Sequence, residues 1–135
     1  MSTKARYGLY SAVMLARNYQ KETVSVSEIS SSIGIGEKYI EQIMSILKKE
    51  GIVVAQRGAK GGYALADDPQ NISVGKVLRS CENNLIIVDC ISRNCKGKPT
   101  CSAHKLFNNL YKHINGYLDG ISLKELVEES YENIS

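Results

Sequence analysis

Two short helical segments joined by Gly34-Ile35-Gly36 restrict the fold of this chain more than any other feature. A serine, Ser25 or Ser27, can cap the first segment, which we predict over 28–33, and Glu28 follows Ser25 at capping-box spacing. The second segment is predicted to begin near Glu37 and to run to Glu50. Two helices joined by a tight glycine turn are typical of a helix-turn-helix.

A β-hairpin is predicted directly after these helices. Residues 52–56 and 63–66 are short segments of strand-forming character, and the glycine-rich segment 57–62 separates them. A helix-turn-helix followed by a hairpin is a winged helix. The predicted fold class is therefore mainly α, with a winged helix-turn-helix, a two-stranded wing and a long C-terminal dimerisation helix.

Further helices are predicted on both sides of this unit. They cover residues 4–19, a segment from the cap Ser73 to about Cys81, a long helix from Cys101 to Gly120, and a last helix, capped by Ser122, over 123–129. We divide the chain into a winged helix-turn-helix part at 1–66, a fold that predicts DNA binding, and a part at 67–135 that contains a cysteine-rich loop and the helices expected to dimerise. The two parts together are predicted to form one compact domain. The long helix carries more apolar positions than a small domain can cover: Leu106, Phe107, Leu110, Tyr111, Ile114, Tyr117 and Leu118. We expect it to pair in a two-fold dimer that reads a palindromic operator, the alternative being that it packs back on its own domain.

Composition and charge are those of a folded protein with a basic first half. Residues 1–66 carry nine Lys and Arg against five Asp and Glu, whereas residues 67–135 carry eight against nine. Lys4 and Arg6 precede a short apolar run, but the helical spacing of Tyr7, Tyr10 and Val13 favours a core helix over a secretory signal. No apolar segment reaches the length of a membrane span. We therefore expect a cytoplasmic protein, in which clustered cysteines stay reduced.

The second predicted helix has an apolar stripe formed by Tyr39, Ile40, Ile43, Ile46 and Leu47. The opposite face is polar and suited to the major groove of DNA. Gln42 can pair with adenine, and Glu41 can accept a hydrogen bond from cytosine. Lys38, Lys48 and Lys49 can contact phosphates, and in the hairpin Arg57 and Lys60 lie among glycines that permit close approach to a duplex. Taken one by one, these residues are equally typical of a solvated helix face and an ordinary hairpin.

Three of the four cysteines lie within twelve residues as Cys90-x4-Cys95-x5-Cys101, and His104 follows. Thiolates and an imidazole suit an iron-sulfur cluster, zinc or copper. The tight C-x2-C pairs of structural zinc sites and of thiol redox enzymes are missing. The alternative is a set of small buried residues with a solvated histidine. Cys81 lies outside the group and is predicted to be a core residue, and His113 is predicted to face solvent.

The whole chain resembles the IscR family of winged-helix regulators, which includes iron-sulfur, nitric-oxide and cysteine-metabolism sensors. The resemblance rests on the cysteine segment with its histidine and on three other segments, 3–8, 39–43 and 57–63. It implies a homodimer whose long helices cross and a 2Fe-2S cluster held by Cys90, Cys95, Cys101 and His104. It also implies DNA contacts from the recognition helix and wing. The predicted DNA-binding residues are Lys4, Arg6, Lys38, Tyr39, Glu41, Gln42, Lys48, Arg57, Gly58 and Lys60.

The sequence departs from the family at two places. The iron-sulfur regulator has a C-x5-C-x5-C spacing, one residue longer between the first two cysteines. Nitric-oxide sensors use an acidic ligand near the N-terminus, where this chain has Arg6. Cysteine-metabolism repressors lack the cysteine triplet.

The resulting hypothesis is a repressor that senses iron-sulfur cluster status and controls iron-sulfur assembly or sulfur-metabolism genes. One alternative is a cluster-free repressor of cysteine metabolism that senses thiols or a partner. A thiol- or metal-dependent enzyme is disfavoured because no paired catalytic acid and base is evident.

Overall fold

The computed structural model describes residues 2–59, 61–82 and 102–134, with side chains described as far as residue 128. Within these ranges it has six α-helices, a two-stranded antiparallel sheet and a 3-10 turn at Pro69–Asn71. In chain order the elements are α1 (Thr3–Arg17), α2 (Val26–Ile33), α3 (Glu37–Lys49), β1 (Val53–Gln56), β2 (Gly62–Leu65), α4 (Val74–Cys81), α5 (Ser102–Asp119) and α6 (Leu123–Ile134).

Serine hydroxyls set the starting points of four helices. In each case Oγ accepts a hydrogen bond from the backbone amide three residues on, and each such cap stabilises its helix by about 1 kcal/mol. The caps are Ser2, Ser25, Ser73 and Ser122. Ser25 is therefore the cap of α2. The alternative prediction, a cap at Ser27, is wrong because Ser27 lies inside the helix. The last helix runs to Ile134, five residues beyond its predicted end.

Backbone hydrogen bonds join the β-hairpin, or wing, to the segment that precedes α2. β1 and β2 pair from Val53↔Leu65 to Gln56↔Gly62, and every strand end lies within one residue of its predicted limit. Val24 and Tyr63 exchange two backbone hydrogen bonds of 2.9 and 2.8 Å, which adds a bridge on the outer side of β2. A Cβ at Gly62 would lie 2.6 Å from the carbonyl oxygen of Val24, so glycine permits this close contact.

Helix α3 is held in place by a buried apolar stripe at helical spacing. Ile40, Ile43, Met44 and Leu47 are fully buried, which confirms three of the five predicted stripe residues and adds Met44. The other two, Tyr39 and Ile46, are half-buried. The same core cluster includes Val77 of α4 and Leu123 of α6, so residues from both halves of the chain share one apolar core.

The long helix α5 differs from the others because none of its 18 residues is fully buried. Leu106, Leu110 and Tyr117 are 63%, 41% and 69% exposed. At its C-terminal end, Leu118 packs with Ile121 against a second core cluster formed by Ala5, Val74 and Leu78. None of the helices among the described residues combines the length and apolarity that crossing a bilayer would need.

Candidate nucleic-acid interface and cysteine segment

The face of α3 opposite the buried stripe is polar and open to solvent. Its exposed side chains are Lys38, Glu41, Gln42, Ser45, Lys48 and Lys49. The buried stripe fixes the rotation of α3 about its own axis, because turning the helix would expose four large apolar side chains. The predicted base-contacting residues Glu41 and Gln42 therefore lie on a helix face with a defined direction.

Tyr39 contacts α1 as well as bordering this face. Its ring packs edge-to-face on Tyr7, with centroids 6.3 Å apart and planes at 88°. The guanidinium of Arg6 lies 5.4 Å from the centroid of the Tyr7 ring, within the range of a cation–π contact. The sequence predicted Tyr7 as an apolar position of the first helix. It did not predict that Tyr7 contacts α3 through Tyr39.

The wing turn presents Arg57 to solvent. Gly58 has φ +109°, a conformation that favours glycine, and its carbonyl accepts a 2.8 Å hydrogen bond from the amide of Gly61. The backbone of the turn is therefore tight. Lys60, the other cation predicted to contact DNA from the wing, lies outside the described residues.

Lys4, also predicted to bind DNA, is partly buried and lies near Cys81 on α4. Burial raises the pKa of the Cys81 thiol to about 11, and the positive charge of Lys4 opposes that rise. A Cβ at Gly8 would lie 2.5 Å from Sγ of Cys81, so the glycine makes room for the thiol. Cys81 is partly buried against both core clusters, as its predicted core role requires.

His104 is the one predicted cluster ligand that the structure describes. It is half-buried near the start of α5, and its ring nitrogen Nδ1 is buried without a hydrogen-bond partner among the described residues. Buried polar atoms nearly always have a partner, so this nitrogen is available to a metal or to a hydrogen-bonding group outside the described residues. Cys90, Cys95 and Cys101 lie outside the described residues, and the described ranges alone contain no group of three or more metal-binding side chains. His113 is exposed on the same helix.

The helix-turn-helix, the hairpin behind it and the polar face of α3 define a winged-helix DNA-binding protein. Comparison with known proteins identifies the family: the description "Rrf2: Iron-dependent Transcriptional regulator" matches residues 1–129. The chain belongs to this family of transcriptional regulators, whose members are DNA-binding proteins rather than enzymes.

Both IscR and CymR regulators are similar to this chain. The regulator IscR of Aliivibrio salmonicida is 34% identical over 131 residues, which cover 96% of this chain and 78% of the relative. The solved structure of T. potens IscR has a TM-score of 0.83 at 31% identity and covers 98% of this chain and 89% of that one. CymR, the global cysteine regulator of B. subtilis, has a TM-score of 0.81 at 29% identity and covers 96% of each chain.

Proposed function

We propose that this protein is a cytoplasmic, homodimeric repressor that binds a palindromic operator through α3 and the wing and responds to an iron-sulfur cluster. The observation that supports cluster binding is the buried Nδ1 of His104, three residues after Cys101, which has no hydrogen-bond partner within residues 2–59, 61–82 and 102–128. A nitrogen left without a partner in a buried position is destabilising unless something binds it. An imidazole next to a segment with three cysteines has the ligand chemistry of a cluster site.

The ligand set is Cys90, Cys95, Cys101 and His104. A cluster bound there supplies a charge and a redox-sensitive group to the segment that joins α4 to α5. These four residues would hold the cluster and would connect it to the DNA-binding part, because α4 packs against α1 and α5 begins at the residue after Cys101 in the sequence. Cluster occupancy would then change operator affinity by shifting the relative placement of the two DNA-binding parts.

The dimer is supported by the exposed apolar side chains of α5. Leu106, Leu110 and Tyr117 follow one another at steps of four and seven residues, which places them on one face. Such an exposed apolar face favours burial against a second copy. Leu110→Lys is expected to yield monomers in light scattering, whereas Lys112→Ala, on the same helix, keeps the dimer.

The cluster proposal is tested by anaerobic purification followed by visible absorption and by iron and sulfide quantitation. We expect a coloured protein whose operator footprint changes when the cluster is removed. A variant with Cys90, Cys95 and Cys101 all replaced by alanine should be colourless, and Cys81→Ala should remain coloured. Full iron and sulfide in the triple variant would overturn the ligand assignment.

A second candidate is a cluster-free regulator of cysteine metabolism. The likeness to CymR over 96% of both chains favours it, since that protein is named as a global cysteine regulator. Under this alternative the anaerobic protein is colourless, its thiols react with alkylating agents, and operator binding does not depend on iron.

A further inference from the structure

The long helix α5 is joined to α4 by one arginine that contacts two residues of α5. Nη1 of Arg79 donates a 2.9 Å hydrogen bond to Oδ1 of Asn115, and Nη2 pairs with the carboxylate of Asp119. Asn115 is itself oriented, because its Nδ2 donates a 2.9 Å hydrogen bond to the carbonyl of Tyr111. We call these three side chains, Arg79, Asn115 and Asp119, the guanidinium bridge.

The geometry of the bridge restricts how the two helices cross. Asn115 and Asp119 are four residues apart and so lie on one face of α5, one turn from each other. A guanidinium is planar, and its donors have fixed directions, so contact with both residues defines the direction of α5 relative to Arg79. A lysine would supply the charge without this directional restriction.

Gly75 lies one turn before Arg79 on the same face of α4, and it makes room for the bridge. A Cβ at this position would overlap Oδ1 of Asp119 and would lie 3.0 Å from Nη1 of Arg79. The absence of a side chain therefore lets the carboxylate of α5 sit directly over the first turn of α4. A side chain at this position would displace the Asp119 carboxylate and the Arg79 guanidinium, which are the ends of flexible side chains, and would so disturb the bridge.

The bridge contributes little to folding. The side chains of Arg79 and Asp119 are 33% and 48% exposed, and ion pairs this open to water stabilise proteins weakly. The apolar contacts of Leu118 and Ile121 with Val74 and Leu78 hold the helices together without it. The distinctive effect of the bridge is thus on the direction of α5 and not on the stability of the fold.

We propose that the guanidinium bridge sets the half-site spacing that the dimer accepts in its operator. This inference rests on the proposed function, because it requires two DNA-binding parts joined through α5. Of the proposed dimer face, Tyr117 lies beside the bridge at the C-terminal end of α5, whereas Leu106 and Leu110 lie nearer the other end. A change of about 10° at the bridge moves the far end of the helix, about 20 Å away, by about 3.5 Å, which is close to one base-pair step.

The test measures binding of the full-length protein to palindromes whose half-sites are moved apart or together by one base pair at a time. Wild-type protein should show one preferred spacing. Arg79→Lys keeps the charge but loses the planar contact, and it should weaken binding at that spacing about five-fold, equivalent to about 1 kcal/mol, and flatten the preference. Gly75→Ala, which displaces the ends of both charged side chains, should likewise flatten the preference.

Lys76→Ala is the matched control, because it alters a neighbouring cation of α4 that is exposed and outside the bridge. It should keep the wild-type spacing preference. Arg79→Lys should retain the wild-type melting temperature and its affinity for an isolated half-site, which a general loss of structure would not allow. The inverted pair, Arg79→Asp with Asp119→Arg, should restore part of the preference that Arg79→Asp alone abolishes.

The outcomes separate this inference from the proposed function. If wild-type protein shows no preferred spacing on any palindrome, operator reading by a two-fold dimer is wrong, and this inference fails with it. If wild-type protein has a preferred spacing that folded Arg79→Lys retains unchanged, the bridge does not set it, and the proposed function stands. If Gly75→Ala does not fold, the spacing preference of folded Arg79→Lys alone decides whether the bridge sets the spacing.

Discussion

Tyr7 of α1 and Tyr39 of the recognition helix pack edge-to-face, with ring centroids 6.3 Å apart. Tyr39 is in the first turn of α3, beside the exposed residues Lys38 and Glu41. The orientation of the recognition helix therefore depends on α1 as well as on the apolar stripe beneath α3.

Loss of this contact should weaken DNA binding. Tyr7→Leu is expected to lower the free energy of unfolding by about 0.5–1.5 kcal/mol through the lost aromatic pairs, and to reduce operator affinity as well. Tyr10→Leu is the control, since Tyr10 also packs on Tyr7, at 5.9 Å, but is not paired with Tyr39. Urea unfolding and fluorescence anisotropy measure the two effects. Equal losses of operator affinity in both variants would contradict the proposal that the contact between Tyr7 and Tyr39 orients α3.

The exposed face of α3 should divide into residues that read bases and residues that bind phosphate. Gln42→Ala is expected to cost about 1–3 kcal/mol of binding and to relax preference at one operator position, because an amide can pair with adenine. Lys48→Ala should weaken binding to all sequences alike and reduce the salt slope by about one. Lys124→Ala, on α6, should change neither the base preference nor the salt dependence of binding. Salt titrations on operator and scrambled DNA distinguish these patterns, and a flat salt response of the wild type would argue against the basic surface.

The two histidines of α5 should behave differently. His104→Ala is expected to alter the visible spectrum of the anaerobic protein and to speed iron loss to a chelator, because water or an added thiol would replace the imidazole. His113→Ala should leave both unchanged, since His113 is exposed on the same helix. Identical spectra and iron-loss rates in the two variants would remove His104 from the ligand set.

Ionisation of the Cys81 thiol should lower the free energy of unfolding at high pH. Its pKa rises from 9.0 to about 11 in the folded protein, so the folded state holds the thiol proton more tightly than the unfolded state does. The stabilisation is complete below about pH 9 and is lost as the pH rises through about 11. Urea unfolding of wild type and Cys81→Ala under reducing conditions between pH 7 and 10.5 should show a difference that shrinks above pH 9. A difference that stays constant would contradict the raised pKa.

Two glycines should respond in opposite directions to alanine. Gly58→Ala is expected to destabilise the wing by about 1–2 kcal/mol, because its φ of +109° disfavours a side chain even though nothing lies within 4 Å of the added Cβ. Gly116→Ala, inside α5 and equally open, should stabilise by about 0.5–1 kcal/mol. Thermal unfolding measures both, and destabilisation of similar size in the two variants would mean that the backbone of Gly58 is not the cause.

Local sequence signals were sufficient to predict most of the secondary structure. Serine caps and a 3.6-residue apolar period depend on neighbours within one or two turns, which is why α3 and α4 were located to within one residue at each end. The wing followed from strand-forming residues on either side of glycines. The 3-10 turn at Pro69–Asn71 was not predicted, because its cap Asp68 and Pro69 are equally typical of an irregular break.

Sequence alone determined the class of fold, the polar face of α3 and the grouping of cysteines with a histidine, because each of these depends on residues close together in the chain. Tertiary structure decided which distant residues support that face and join α4 to α5. Tyr7 meets Tyr39 across 32 positions, and Arg79 meets Asp119 across 40. Such contacts depend on how the helices pack in three dimensions, and no local pattern encodes the angle at which two helices cross.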